Sequence, residues 1–563
     1  MRQRTKEKDK AKKWLITGSI ILGVVMLLFI GQYVFTVWLE NKLEDSVQQQ
    51  TNGVYRLELY GFETSPFIGN LSLDSLMLKP DYQRWQQLKA QGQDVSRTLL
   101  DLKSREISVN GLSLFKMIFN NNVNLDSLVV QQPDLMMTVM MKDTTSTHKP
   151  MHETVDGLLQ NMKIGKIDVD GANFRYRTAV DSKSDLVLLK DFHLTVHDYQ
   201  LDSASFYDRS RAYYSKSIVL KAKSTELNIP NGYYKLTSDS VALNTSNGSF
   251  TVRQVSFEPT LDPTSLAKAK DRAVTWMKAE VPTITAQGIN YGLHSRANDI
   301  DINRVLILEP NLNSYKDKKN FEEKGEKPLP HDLAQSATLK FRVGSIEVKD
   351  GYTRYEELAE NATETGHIYF TGLNGSISNL TNRPEGISRE SPAVVKVQAL
   401  LMGKARMQAT VSLPLLEKNG YHTLEGSVSS GDPKMLNPIL IPTNFIKVDK
   451  GQVHTINFNA TLNRESAKGS MKALYNNLEI ELLSKGATSG DDQGLVKNLI
   501  SEAANAFLIK ESNPDDKGEQ PRIGEISVSR KKNRSFITYW KDCLASGIMA
   551  SMGLEKMAET KFK

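Results

Sequence analysis

The sequence predicts a mainly β fold with accessory helices, in which an N-terminal single transmembrane helix precedes a long, curved, repetitive antiparallel β-sheet forming a groove. Three observations carry this expectation. An uncharged stretch near the N-terminus is long enough to cross a bilayer. Apolar and polar residues alternate over most of the remainder, and the alternation recurs at a nearly constant offset.

The first element is a basic tip, residues 1–13. Arg2, Arg4, Lys6, Lys8, Lys10, Lys12 and Lys13 stand against Glu7 and Asp9, a balance of +5 out of the formal net charge of +6. The rest of the 563-residue chain is therefore close to neutral. A groove that tracks phosphates needs a concentrated basic face, so no nucleic-acid partner is expected. Hydrophobic residues make up 39% and charged residues 24%, which is ordinary globular usage. With Cys543 as the only cysteine, an intramolecular disulfide, a cysteine-based zinc site and a CxxC redox pair are all excluded.

From Trp14 to Leu39 no residue is charged. These 26 residues would make about 39 Å of helix against a hydrocarbon core of roughly 30 Å. Trp14 marks one end, and Tyr33 with Trp38 the other, as interfacial aromatics do. A cleaved signal peptide is the competing reading. The length of the run and the absence of a small-x-small site after it favour an uncleaved anchor at 14–39. The preceding basic cluster places the N-terminus in the cytoplasm and exports the remainder. In a bacterium that is a single-pass inner-membrane protein with its body in the periplasm, or at the cell exterior.

The body reads as two β repeat halves, 40–230 and 231–410, then a β region at 411–490 and a helical region at 491–563. The pattern apolar-x-apolar-x-x-apolar-x-apolar, closed by proline, occurs four times: Leu71 to Pro80, Val123 to Pro133, Phe250 to Pro259 and Ile300 to Pro310. The first and third copies align at an offset of 179, the second and fourth at 177. Gly165, Ile167, Val169, Arg175 and Tyr176 match Gly344, Ile346, Val348, Arg354 and Tyr355, again at 179. This is the signature of a duplication. Period-two alternation marks strands with one apolar face, and the three-residue step inside each pattern predicts a β-bulge that keeps the apolar set on that face. Helices are expected at Asp81 to Leu102 and Thr264 to Lys278, with shorter ones at 153–162 and 331–337. Polar loops are expected at 141–150 and 313–330. Near the end, 491–508 reads as an amphipathic helix, and Ile537, Trp540, Leu544, Ile548 and Met552 form a helical stripe. The basic run Arg530, Lys531, Lys532 and Arg534 precedes that stripe; capping of the open sheet end is favoured for it over docking to a membrane or partner.

No phosphate loop, His-Glu-x-x-His or Gly-x-Ser-x-Gly elbow occurs. Asp168-x-Asp170-Gly171 opens like a calcium loop but lacks the later ligands, so a strand and turn are the better reading. His193 and His197, four apart on a strand, stand roughly 13 Å apart and cannot share a metal. The recurring Arg175-Tyr176 and Arg354-Tyr355 suit a packing or turn role. The expectation is a protein that is not an enzyme and has no cofactor, metal or catalytic residue.

The segments VGSIEVKDG at 343–351, GLNGSISNL at 372–380 and KGSMKALYNNLEI at 468–480, with the anchor and the long β body, resemble the AsmA-like family of Gram-negative envelope proteins. That resemblance implies an open, apolar-lined β groove and a part in phospholipid passage or outer-membrane integrity. The expected lining is Leu125, Leu128, Val130, Ile167, Val169, Phe250, Val252, Ile302, Val305, Ile307, Ile346 and Val348. Expected partners are phospholipid, the inner membrane and outer-membrane or periplasmic proteins. The alternative is a non-transporting scaffold or assembly factor, in which the same residues close into a dry core.

Overall fold

The computed structural model describes residues 26, 32–65, 69–112, 122–141, 150–154, 161–179, 184–229, 232–483, 509–515 and 519–563. Among the described residues the protein is mainly β, 52% strand and 21% helix, built as a large mixed sheet of many strands. The chain divides into two compact units, Met1–Glu226 and Leu227–Lys563.

In the first unit, Asn122–Gln131 runs parallel to the first half of the long strand Asn161–Thr178, with Leu128 opposite Ile167 and Val130 opposite Val169. Asp134–Val139 runs parallel to its second half. Ile107–Asn110 lies antiparallel on the other side, Ile107 opposite Val130, and Ser184–Leu201 folds back with Val196 opposite Ile167. The second unit repeats this arrangement. Ile300–Leu308 and Asn311–Asp317 run parallel to successive halves of Phe341–Leu358, with Val305 opposite Ile346 and Ile307 opposite Val348. Ile284 lies opposite Ile307, and Ile377 opposite Ile346, both antiparallel. The expected all-antiparallel sheet is thus corrected to a mixed one. The cause is the long connection after Val139 and after Asp317, long enough for the crossover that a parallel neighbour requires.

The three-residue step is also not a one-sided bulge. Between Ile302 and Val305 the register with Phe341–Leu358 runs on unbroken, because that strand takes the same step from Val343 to Ile346. The step is a crease shared by neighbouring strands. Gly288, at φ +64, lies under Asn303 so closely that a Cβ would come 2.8 Å from that residue's Cβ, and Gly111, at φ +70, lies under Asp126 in the same way. Only glycine permits both the left-handed backbone and the approach. One-sided register shifts occur elsewhere, as around Asp191 and Asp350.

Several helices are shorter than expected. Tyr82–Ala90 stops before Gly92 (φ +75), and Leu99 and Leu100 belong to the strand Thr98–Ser104. Pro263–Lys270 stops likewise, and Trp276 lies in Thr275–Gln287. The expected 331–337 helix is Pro330–Ser336. Of 153–162, only 153–154 end a helical turn, Met151–Thr154, and a strand begins at Asn161; 155–160 lie outside the described residues. Residues 313–317 of the second expected loop are strand, and the rest is pinned: the Lys327 N–H donates to Lys532 O at 2.8 Å, and Leu329 is fully buried. The basic tip 1–13, most of 141–150 and the helix expected at 491–508 lie outside the described residues.

Among the described residues no helix is long and apolar enough to cross a membrane. Trp14 and most of 14–39 lie outside them. Residues 32–50 form a helix whose Phe35, Leu39 and Leu43 pack on Leu59, Phe62, Leu73 and Ile107 of the sheet. Thr36 and Thr64 share a hydroxyl hydrogen bond of 2.7 Å, and Glu44 Oε1 accepts the Leu59 N–H at 3.1 Å. The last eight residues of the expected span (32–39) are therefore a docking helix, because their i, i+4 apolar stripe has a sheet face to bury against. Tyr33, Val34, Val37 and Trp38 on the other side remain exposed.

Candidate functional site

Residues opposite one another across a ladder project to the same face, so the registers trace which apolar side chains form a continuous surface. In the first unit Leu71, Val109, Leu128, Ile167 and Val196 succeed each other across five strands, and Leu73, Ile107, Val130, Val169 and Leu194 run beside them. In the second unit the matching rungs are Phe250, Ala286, Val305, Ile346, Ile377 and Val252, Ile284, Ile307, Val348, Gly375. Each of the ten first-unit positions has its second-unit equivalent at the duplication offsets or close to them. Ten of the twelve expected lining residues fall on these rungs. Leu125 and Ile302 lie next to them, just before the crease, opposite Ile164 and Val343.

The second-unit rungs continue. Val395, Val411, Leu424 and Ala460 extend the first, and Val397, Ala409, Gly426, Phe458 and Met471 the second. Along this line the cover changes. From Val395 onward the rung residues other than the half-buried Val397 and Gly426 belong to a core with Leu413, Leu462, Ile526 and the C-terminal helix Phe536–Ser551. From Phe250 to Ile377 the side chains are half-buried, apart from the more deeply buried Val252 and Ala286. No buried hydrophobic cluster among the described residues forms over that section. It crosses five strands, roughly 20 Å at about 4.8 Å per strand. In the first unit the 32–50 helix covers Leu73 to Val130, and Ile167 and Val169 stand outside that cluster, half-buried.

The C-terminal helix does not present the stripe that was expected. Ile537 is exposed, and the residues nearest the sheet are Tyr539, Cys543, Gly547 and Ala550. A Cβ on Gly547 would come 2.8 Å from Met471 Cβ and 2.9 Å from Ile526 Cγ1. Close approach selects small side chains there, with Trp540, Leu544 and Ile548 at the flanks.

The opposite face is polar. Glu347, Ser376, Lys396, Thr410, Glu425 and Asn459 succeed each other across six strands. With Gln398, Gln408, Ser427 and Asn457 they line a concavity of about 860 Å³. The pronounced hollow in the second unit thus lies on the hydrophilic side, where an apolar one was expected. Alternation along each strand makes both faces equally legible, but curvature is not written in it.

Of the chemistry-bearing residues singled out in the sequence, Asp168, Asp170, His193, Arg175, Arg354 and Tyr355 are partnered. His193 pairs with Asp170, and Thr195 Oγ1 donates to Asp168 Oδ1 at 3.0 Å. The hydrogen bond from Lys166, aided by Thr195, holds the Asp168 carboxyl below its usual range despite some desolvation. Arg175 pairs with Asp134 at 3.1 Å and Arg354 with Glu356 at 2.8 Å. Tyr355 Oη donates to Glu357 Oε2 at 2.6 Å; burial, then that carboxylate, pushes its phenol far upward. His152 contacts the Tyr214 hydroxyl at 3.0 Å, and His148 lies outside the described residues. No group of three or more metal-ligating side chains occurs among the described residues. Sequence reading missed a pair of fully buried histidines, His331 and His422, with ring centroids 5.6 Å apart. They lie far apart in the chain, and no local pattern joins them.

Comparison with family models and with curated proteins finds no match for this chain.

Proposed function

We propose that the protein is a lipid-handling member of the AsmA-like envelope family, anchored in the inner membrane with its body in the periplasm. The uncovered apolar rungs receive phospholipid acyl chains in the service of outer-membrane biogenesis or integrity. The observation that carries this reading is the half-buried section from Phe250 to Ile377, an apolar strip of about acyl-chain length over which the described residues form no buried cluster. Burying each methylene there is worth about 0.8 kcal/mol, enough over a chain to hold a lipid while reading little of its headgroup. No step of covalent chemistry is involved, and recognition rests on aliphatic contact alone.

The test is site-specific photocrosslinking in the full chain within its native membrane. A photoreactive side chain at Val305 or Ile307 should yield phospholipid adducts, and one at Arg304 or Leu306, on the polar face, should not. Equal labelling at all four positions, or none, contradicts the reading. A scaffold function is favoured by one separate observation: the closed core beyond Val395. On that reading the photoreactive rung positions yield protein adducts.

A further inference from the structure

We propose that the C-terminal helix pair, Phe536–Ser551 and Glu555–Phe562, is an acid-released cover over the last section of the apolar rungs, latched by His331, His422 and Trp540. This goes beyond the lipid reading and holds whatever the uncovered section binds.

His422 begins the strand His422–Val428, His331 lies in the helix Pro330–Ser336, and Trp540 is on the cover. Both histidines are 0% exposed. His422 Nδ1 lies 2.8 Å from Gly420 O, which can only accept, so this nitrogen carries the proton. Nε2 is then the bare nitrogen, and it accepts the Trp540 indole N–H at 3.0 Å. His331 Nε2 donates to Tyr421 O at 2.9 Å, and its Nδ1 has no hydrogen-bond partner. The latch therefore works only with a neutral His422. A proton on Nε2 would set N–H against N–H and break the one polar bond by which Trp540 holds the cover.

The surroundings oppose that proton. Arg530, 7% exposed, faces His422 and donates to the carbonyls of Arg464 and Lys327. Arg464 faces His331, together with Asp332 and Glu417, and is itself paired with Asp332. From the cover come Tyr539, whose hydroxyl donates to Asn463 O, and Cys543. Desolvation first, with the positive neighbours, pushes His422 down to about 4 and lowers His331. A histidine depressed in the docked state binds its proton more readily once released. The contribution of this histidine to docking is therefore fully present above the ordinary value near 6.5 and is lost as pH falls from there toward 4. From His422 alone, the docked-to-released ratio at pH 5 should fall about thirtyfold from its neutral value.

Cys543, on the inner face of the cover, fully buried while it is docked and the only cysteine in the chain, reports release directly. The full-length protein is labelled with 4,4′-dithiodipyridine at pH 7.5 and at pH 5. Each rate is divided by that of the denatured chain at the same pH, and far-UV circular dichroism monitors the strands. The expected result is a drop in Cys543 protection by an order of magnitude or more at pH 5, with the strand signal retained. His422→Gln, which cannot titrate, should flatten the dependence. If that variant already leaves Cys543 unprotected at pH 7.5, His331→Gln carries the same comparison, with a shallower dependence expected. Unchanged protection in the wild type, loss of strand signal in parallel with protection, or an unaltered pH dependence in the variant that stays docked would each overturn the proposal.

Discussion

Gly344 faces the backbone of the neighbouring strand so closely that a Cβ would stand 2.6 Å from Asn303 O, and Gly165 stands in the same relation to Asp126 O at 2.7 Å. Gly344→Ala should therefore cost about 1–3 kcal/mol, since neither backbone can yield without disturbing the crease. A shift of the urea midpoint with an unchanged slope would register this, and an unchanged midpoint would refute it. The recurrence of Gly111 with Gly288, and of Gly165 with Gly344, is plain in the sequence. Their reason is not, because each glycine is fixed by an atom more than ten residues away that only the strand register brings near. The same limit hid His331 and His422, whose rings meet directly and whose link to a third element is the bond from Trp540 to His422.

Elements were legible in kind more than in extent. Alternation identifies a strand equally well in parallel and antiparallel surroundings, which is why the parallel pairings of Asn161–Thr178 and Phe341–Leu358 could not be read from it. Leu99 and Leu100 continue the helical spacing of Trp85 and Leu88, yet they pair in a ladder with Thr138 and Met137 once Gly92 has turned the chain. Residues 32–39 illustrate the same competition. An apolar run alone reads as a membrane span, but Leu39 is 4% exposed against the sheet while Trp38, beside it, is 48% exposed. Leu39→Ala should then lower the stability of the first unit by about 2–4 kcal/mol, whereas Trp38→Ala should change it by no more than about 0.5 kcal/mol. Urea unfolding followed by circular dichroism in detergent separates the two; equal effects would mean that the helix does not dock as described.

At the scale of the whole chain, the duplication was the most legible feature, because equivalent apolar positions fall opposite equivalent partners in both units. The extent of cover was not legible. Val305 and Val411 look alike in sequence and share a rung, but the first is half-buried and the second lies in the closed core at 4% exposure. What decides between them is the company of residues remote in the chain, such as Ala334, Leu462 and Ile526. The central claim is that the uncovered section holds lipid. The measurement that tests it most directly is the phospholipid content of protein lacking residues 1–31, which keeps the docking helix, purified with and without Val305→Asp and Ile307→Asp. The account predicts at least one phospholipid per wild-type chain and essentially none in the double variant, whose circular dichroism stays native because the altered face already meets solvent. A wild-type protein free of lipid, or a folded double variant that retains it, would contradict the account.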